Sequence, residues 1–468
     1  MKNKAVCDNM FEKIMLGKGD EHMQKDLTVG TPWKLLLAFT LPVMLGNTLQ
    51  HLYNTVDTII VGNVLGETAL SAVGTCLSLT MLFTFVAMGF SVGAGVLVAQ
   101  YFVARQEEEM RRSASTAILL LLAMGVAATA LGYFASPYIL EHIIKAPSEF
   151  LSMAVEYFQI YSLGLFFQFG YNIVSYVLRS VGDSRATLLF LLISSVINIV
   201  LDLILVPKMG VAGAAWATDI AQLVSCAVAF IYMHCRYPVF RFGLKEWSFE
   251  GAYAWRTLKV GAPMAIQQVI VSCGFMLLQR LVNSYDYMPA AFTVQGRLEN
   301  YILVPVIAMQ QAEATFAAQN MGAGKTERVT QGLRHGIVLC LCMSAILSTL
   351  AYIFAPDLAV LFGVEHTQSI AYCVEHLRIA CFAVLIFDVY FPASGMMQGV
   401  GEGTWSMVAA LIALSVRVGF AYLFSTTALS YYSIFFAQPV SWILGGTFCY
   451  CGVFFRAWRS KSLIGKTA

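Results

Sequence analysis

The chain has 468 residues, of which 58% are hydrophobic and only 12% charged, with a formal net charge of +2. A soluble domain carries about 25% charged residues, so this composition excludes one. The small net charge and the short basic stretches give no footing for a nucleic-acid partner.

The first 33 residues are polar and mixed in charge, without a cleavable signal pattern, and read as a cytoplasmic leader. Twelve apolar spans follow, over 34–62, 75–101, 114–138, 153–179, 186–207, 211–235, 257–282, 297–320, 332–355, 371–398, 405–427 and 431–456. Runs of about 20 apolar residues read as helices that cross a bilayer. The fold class is therefore an all-α polytopic membrane protein. Eleven cysteines, most of them inside apolar runs, suggest no disulfide framework.

The loops differ by side. "ARQEEEMRR", "RSVGDSR", "HCRYPVFRFGLKEW" and "GAGKTERVTQGLRH" hold most of the Lys and Arg together with the two ends, while "GNVLGET", "VPKMGVAG" and "STTALSYYS" hold few. Basic loops stay in the cytoplasm, which puts both termini there.

The chain also repeats. Pro42 in "TLPVMLGN" matches Pro263 in "GAPMAIQQ". Ala99-Gln100 matches Ala318-Gln319, and Val181-Gly182-Asp183 matches Val400-Gly401-Glu402. The last two pairs share one offset, and the proline pair comes close to it. Three matches at nearly one offset indicate two six-span halves, and six being even makes the repeat parallel. The expected organisation is a leader (1–33), a first lobe (34–235), a cytoplasmic linker (236–256), a second lobe (257–456) and a cytoplasmic tail (457–468).

In order and spacing, "LPVMLGNTLQHLYNTVDTIIVGNVLGETALSAVG", "RSVGDSRATL", "NIVLDLILVPKMGVAGAAWAT" and the "GVGEGTW" echo resemble the multidrug and toxic compound extrusion (MATE) transporters, in their DinF-like bacterial branch. The resemblance implies a V-shaped fold of twelve helices in two pseudo-symmetric lobes. It implies a monomeric antiporter in the bacterial plasma membrane, among lipids, that exports amphipathic and often cationic compounds against inward Na⁺ or H⁺. No other cofactor and no enzymatic activity are implied. The family's ion site lies on an acid of the first helix and an Asn/Asp pair of the fifth, which match Asp57 and Asn198/Asp202; Thr218 matches a sixth-helix hydroxyl. Some members use an acid on the seventh helix, but here that stretch offers Gln267, Gln268 and Ser272 and no acid.

The residues support this reading independently. Asn47, Gln50, Asn54 and Asp57 step by three, four and three and form one helical stripe. A charge near mid-membrane costs several kcal/mol and is rare without a role, whereas the amides serve equally well as interhelical glue. Asn198 and Asp202 share a face of helix five. Asp57 and Asp202 each lie five residues from the expected outer end of their helix, at a common depth of roughly 7–8 Å. Thr218 lies about as deep. Such a set can coordinate Na⁺ or share one proton. In the second half, Asp388 and Arg417 are expected to pair near mid-depth, with Glu313 a further acid closer to the inner end. Gln50, Asn54, Gln268, Asp388 and Arg417 are candidates for the substrate cleft or a charge pair.

Other readings fit less well. "NMGAGKTE" brushes against a phosphate-binding loop, but Gln319 stands where that pattern needs Gly, so it reads as a cytoplasmic turn. A membrane-embedded hydrolase would want a His-rich motif, and the seven histidines are scattered. A flippase for lipid-linked sugars is the remaining alternative, disfavoured by twelve spans and the Asp57/Asp202 pair.

Overall fold

A computed structural model describes residues 26–144, 146–243, 246–362, 366–455 and 457–460. The expected leader up to residue 25, and the tail from residue 461, lie outside the described residues. Twelve long helices occur among the described residues. In the first half they are α1 (Pro32–Leu65), α2 (Glu67–Val103), α3 (Glu107–Tyr138), α4 (Leu151–Ser180), α5 (Ser184–Met209) and α6 (Val211–Arg236). In the second half they are α7 (Gly251–Val282), α8 (Met288–Gly322), α9 (Thr326–Ile353), α10 (Thr367–Gly399), α11 (Gly403–Ser425) and α12 (Tyr432–Phe455). A short helix, Ala355–Leu361, follows α9, and no strand occurs among the described residues. Nine of the long helices are long and apolar enough to cross a membrane, as expected of a polytopic protein.

The described residues form two compact units. Residues 49–259 belong to unit 1, and residues 27–48 and 260–468 to unit 2. Each has its own core. That of unit 1 includes Val61, Cys76, Phe158, Leu165 and Val206. That of unit 2 includes Phe39, Met309, Phe316, Leu377 and Met396. In unit 2, Gly395 and Gly399 of α10 lie one turn apart and let the helix touch α8: an added Cβ would sit 2.2 Å from the Gln310 carbonyl oxygen at the first and 2.2 Å from that of Ala314 at the second. Small residues spaced by four let membrane helices approach closely in this way.

The duplication expected from sequence is visible in the turns. Gly182 (φ 88°) and Gly401 (φ 86°) both occupy the left-handed region, where a side chain is strained. Around Gly182 the Asp183 amide donates to the Leu178 carbonyl at 3.0 Å; around Gly401 the Glu402 amide donates to that of Met397 at 2.9 Å. Arg105 (φ 55°) and Gly324 (φ 70°), which stand at equivalent places in the two repeats, close the α2–α3 and α8–α9 turns with matching bonds. The "GAGKT" stretch is thus a turn between two helices, without the preceding strand that a phosphate loop needs.

The turns are anchored by buried polar contacts. Asp183 caps α5 by accepting from the Ala186 amide at 3.0 Å. Its other oxygen accepts from the hydroxyls of Tyr232 at 2.9 Å and Tyr237 at 2.7 Å. Burial, and next the Asp183 charge, push the Tyr237 hydroxyl far above its ordinary range, so it remains a donor. In unit 2, Gln319 and Asn320 of α8 and Lys325 and Arg328 beyond it bind the backbone of Leu27, Thr28 and Gly30. Among the described cysteines eight are free, and Cys235 is disulfide-bonded.

Candidate functional site

Unit 1 gathers the expected acids. Beyond Phe190, the buried positions of α5 are Ser195, Asn198, Asp202 and Val206, stepping by three, four and four. This spacing puts a polar stripe on the face turned inward. Asp202 is fully buried and Asn198 nearly so. The Asp57 carboxyl, projecting from α1, is near enough to Asp202 for the two acids to act on one another electrostatically. From α6, the Thr218 hydroxyl accepts from the Asn198 amide at 3.5 Å and donates to the Ala214 carbonyl at 3.1 Å. Asp57 thus neighbours Asp202, and Asn198, one turn away on the same face of α5, neighbours Thr218. Asp57 lies eight residues before the end of α1, and Asp202 seven before the end of α5. Both are somewhat deeper than expected, because the helices run past the predicted spans.

The chemistry of this cluster is that of acceptors without donors. Asp57 Oδ1, Asn198 Oδ1 and both oxygens of Asp202 are buried and have no hydrogen-bond partner among the described residues. A buried acceptor left unmatched costs about 1–3 kcal/mol, and a charged one more. Four such oxygens suit a bound proton or a hard cation, which carry no acceptor of their own and satisfy several lone pairs at once.

The rest of the α1 stripe departs from expectation. Asn54 is exposed and Gln50 half-buried, so the four residues do not all turn inward. Asn47, Gln50 and Asp57 are half-buried, so the stripe lies at the edge of the packed side and Asn54 is its exposed member.

Unit 2 rearranges the expected charge pair. Asp388 does not pair with Arg417. Its Oδ1 accepts from the Ser344 hydroxyl at 2.8 Å and the Cys340 thiol at 3.1 Å, both on α9. Arg417 donates to Gln438 Oε1 at 3.0 Å. Gln438 in turn donates to Glu299 Oε1, and Gln295 donates to Glu299 Oε2 at 2.8 Å. The charge that faces Arg417 is Glu299, of α8, bridged by an amide. The reason is rotational: Asp388 lies on the side of α10 that packs against α9, away from the α11–α12 contact. Gln268 is half-buried, while its neighbour Gln267 is buried and accepts from Gln398 at 3.2 Å. Glu313 is fully buried with both oxygens unpartnered, packed so closely on α9 that a Cβ at Gly336 would lie 2.1 Å from it.

The MatE family profile matches residues 42–204 and again 263–423, one copy in each half. The chain belongs to the MatE family. It is 30% identical over 408 residues to the "Probable multidrug resistance protein YpnP" of Bacillus subtilis, covering 86% of this chain and 90% of that one. It is 25% identical over 400 residues to the "Probable multidrug resistance protein NorM" of Thermotoga maritima, covering 82% and 83%. Among solved structures, an outward-facing multidrug resistance MATE family transporter of the MOP superfamily superposes with a TM-score of 0.88 at 25% identity, covering 95% of this chain and 100% of that one.

Two buried acids of this MatE chain were not singled out from sequence. Glu299 lies in "QGRLENYILV", where charged neighbours give the look of a helix end. Asp219 lies in "AAWATDIAQL", an apolar setting whose cost was itself the signal. Asp219 is only 5% exposed.

Proposed function

We propose that this MatE chain is an ion-coupled exporter of amphipathic organic compounds, often cationic, working by alternating access in a bacterial plasma membrane. The observation that carries the reading is the set of unpartnered oxygens on Asp57, Asn198 and Asp202, level with Thr218. Such a set gains stability by taking up Na⁺ or a proton. If loaded and empty sites favour different packings, the ion biases release of the bound compound by its differential affinity for the two states. The relatives named as multidrug resistance and export proteins support the substrate class. The two lobes, joined by the linker at 236–256, are the bodies that would rock. The test is ethidium efflux from proteoliposomes with Na⁺ and pH gradients imposed separately. Efflux driven by one of them is expected, and efflux with neither gradient, or with neither able to drive it uphill, would overturn the reading.

The loop charges further support twelve spans with both termini cytoplasmic. In a cysteine-free background, Ser148→Cys and Thr427→Cys, at exposed positions between helices, are expected to react with impermeant thiol reagents on intact cells. Gln331→Cys, exposed near the start of α9, is expected to react only after the membrane is opened. Labelling of Gln331→Cys in sealed cells would invert the orientation.

A further inference from the structure

The buried face of α9 carries Gly336, Cys340 and Ser344, spaced by four, and two acids reach it from other helices of unit 2. Asp388 of α10 arrives at Ser344 and Cys340, whose hydroxyl and thiol donate to its Oδ1 at 2.8 and 3.1 Å. Glu313 of α8 arrives at Gly336, where an added Cβ would lie 2.1 Å from its Oε1 and 3.0 Å from its Cδ. Only glycine admits this carboxyl. Glu313 is fully buried, and neither of its oxygens has a hydrogen-bond partner among the described residues. The titratable groups around it are Cys340 of α9 and Tyr450 of α12, both within electrostatic range, and Asp388, which Cys340 binds. Their donors are engaged elsewhere: the Cys340 thiol with Asp388, and the Tyr450 hydroxyl with the Val389 carbonyl at 3.2 Å. No Lys, Arg or His forms an ion pair with Glu313 among the described residues.

The duplication shows that the fold itself does not require these acids. At the offset that pairs Gln100 with Gln319, the residues Glu313, Gly336, Cys340, Ser344 and Asp388 correspond to Ala94, Ala117, Leu121, Gly125 and Phe169. All five of the latter are buried and none has a polar side chain. Phe169 Cβ lies 3.1 Å from where a Cβ on Gly125 would stand, so the first repeat fills with hydrocarbon the places where the second sets acids. We propose that Glu313 is a proton-binding site of unit 2, which takes a proton and no metal cation. The inference does not depend on the ion-coupling reading of unit 1. The two acids on the α9 face differ in their surroundings: Asp388 has two donors for an ionised oxygen, and Glu313 has none. An ionised Glu313 would carry its full desolvation cost with no counter-charge or donor to offset it, whereas a proton neutralises it in place. A metal cation needs several ligands, and no group of three His, Cys, Asp or Glu side chains among the described residues is placed to hold one. A proton needs only one oxygen. Glu313 lies nine residues before the end of α8, about 14 Å along the axis from a turn whose Gly324 and Lys325 are exposed, which sets the distance a proton travels to reach it from that end.

The test is infrared spectroscopy of the purified full-length protein, in a detergent without carbonyl groups. The wild type is expected to show a protonated-carboxyl C=O band that shifts in D₂O. Glu313→Gln, which keeps the size and polarity of the protonated acid, is expected to lose one carboxyl's share of that band. Glu313→Ala, which introduces the side chain that the first repeat carries at Ala94, is expected to lose the same share, so the result does not hang on the folding of one variant. Asp388→Asn is expected to retain the Glu313 share, and exchanging choline chloride for sodium chloride should leave it unchanged. The proposal is overturned if the Glu313 variants lose only carboxylate intensity, if the Glu313 share does not shift in D₂O, or if sodium displaces the proton there. Failure of the coupling role of Asp57 and Asp202 would show in efflux assays on their own variants, and leaves this band to be read separately.

Discussion

Asp57→Asn is expected to insert and fold like the wild type and still bind ethidium, yet lose gradient-driven efflux. The substitution preserves shape and hydrogen-bonding capacity but removes the charge that an arriving ion neutralises. The Asp57 carboxyl meets Asp202 in a buried setting with unpartnered oxygens around it. With one acid made neutral, the empty site no longer holds two neighbouring carboxylates whose repulsion an arriving ion relieves. A coupling free energy of about 1–3 kcal/mol corresponds to a 5–150-fold effect, and the ion-dependence of efflux is expected to fall by that range. Asp202→Asn should behave alike, since the two acids act as one unit. The readout is ethidium efflux from proteoliposomes under the gradient that drives the wild type. Wild-type uphill transport by Asp57→Asn would place the coupling site elsewhere and leave this carboxyl a packing role.

The second large effect is expected at Arg417. Its guanidinium is held by Gln438, which also holds Glu299. Replacing one partner of a buried charge pair strands the other, at a cost of about 3–5 kcal/mol. Arg417→Met is therefore expected to lower the unfolding temperature of the detergent-solubilised protein sharply. Arg417→Met combined with Glu299→Gln should recover most of the loss, because no uncompensated charge remains. A double variant as unstable as the sum of the singles would show that the two charges do not interact. The companion cycle with Asp388→Asn discriminates the pairings. The described partners of Asp388 are on α9, so its effect should add to that of Arg417→Met. Strong non-additivity there would restore the Asp388–Arg417 pair expected from sequence.

Much of the architecture was legible without coordinates because it rests on quantities that a linear chain displays. The number of long helices follows from the length of apolar runs, and the duplication from repeated short motifs at nearly one offset. The turns at Gly182 and Gly401 show why those motifs repeat: each closes the same backbone path at the end of a buried helix. The meeting of Asp57 with Asp202 was legible too. Both acids stand near the same end of their helices, and Asn198 shares a face with Asp202, so depth and phase restricted the choice.

What the sequence by itself determined was therefore the class and the repeat. Only the tertiary structure decided which way each polar side chain turns. Helical phase places residues relative to one another on one helix, but the rotation of that helix against its neighbours is set by packing, which no single run of sequence records. Hence Asp388 finds Ser344 and Cys340 instead of Arg417, and Arg417 faces Glu299 through Gln438. Hence also Asn54 is exposed on the helix that buries the Asp57 Oδ1 atom. For Asp219, the deciding contact is the missing side chain at Gly164, far off in the chain and on another helix. A glycine in a sequence marks that space exists; only the packed neighbour shows which group fills it.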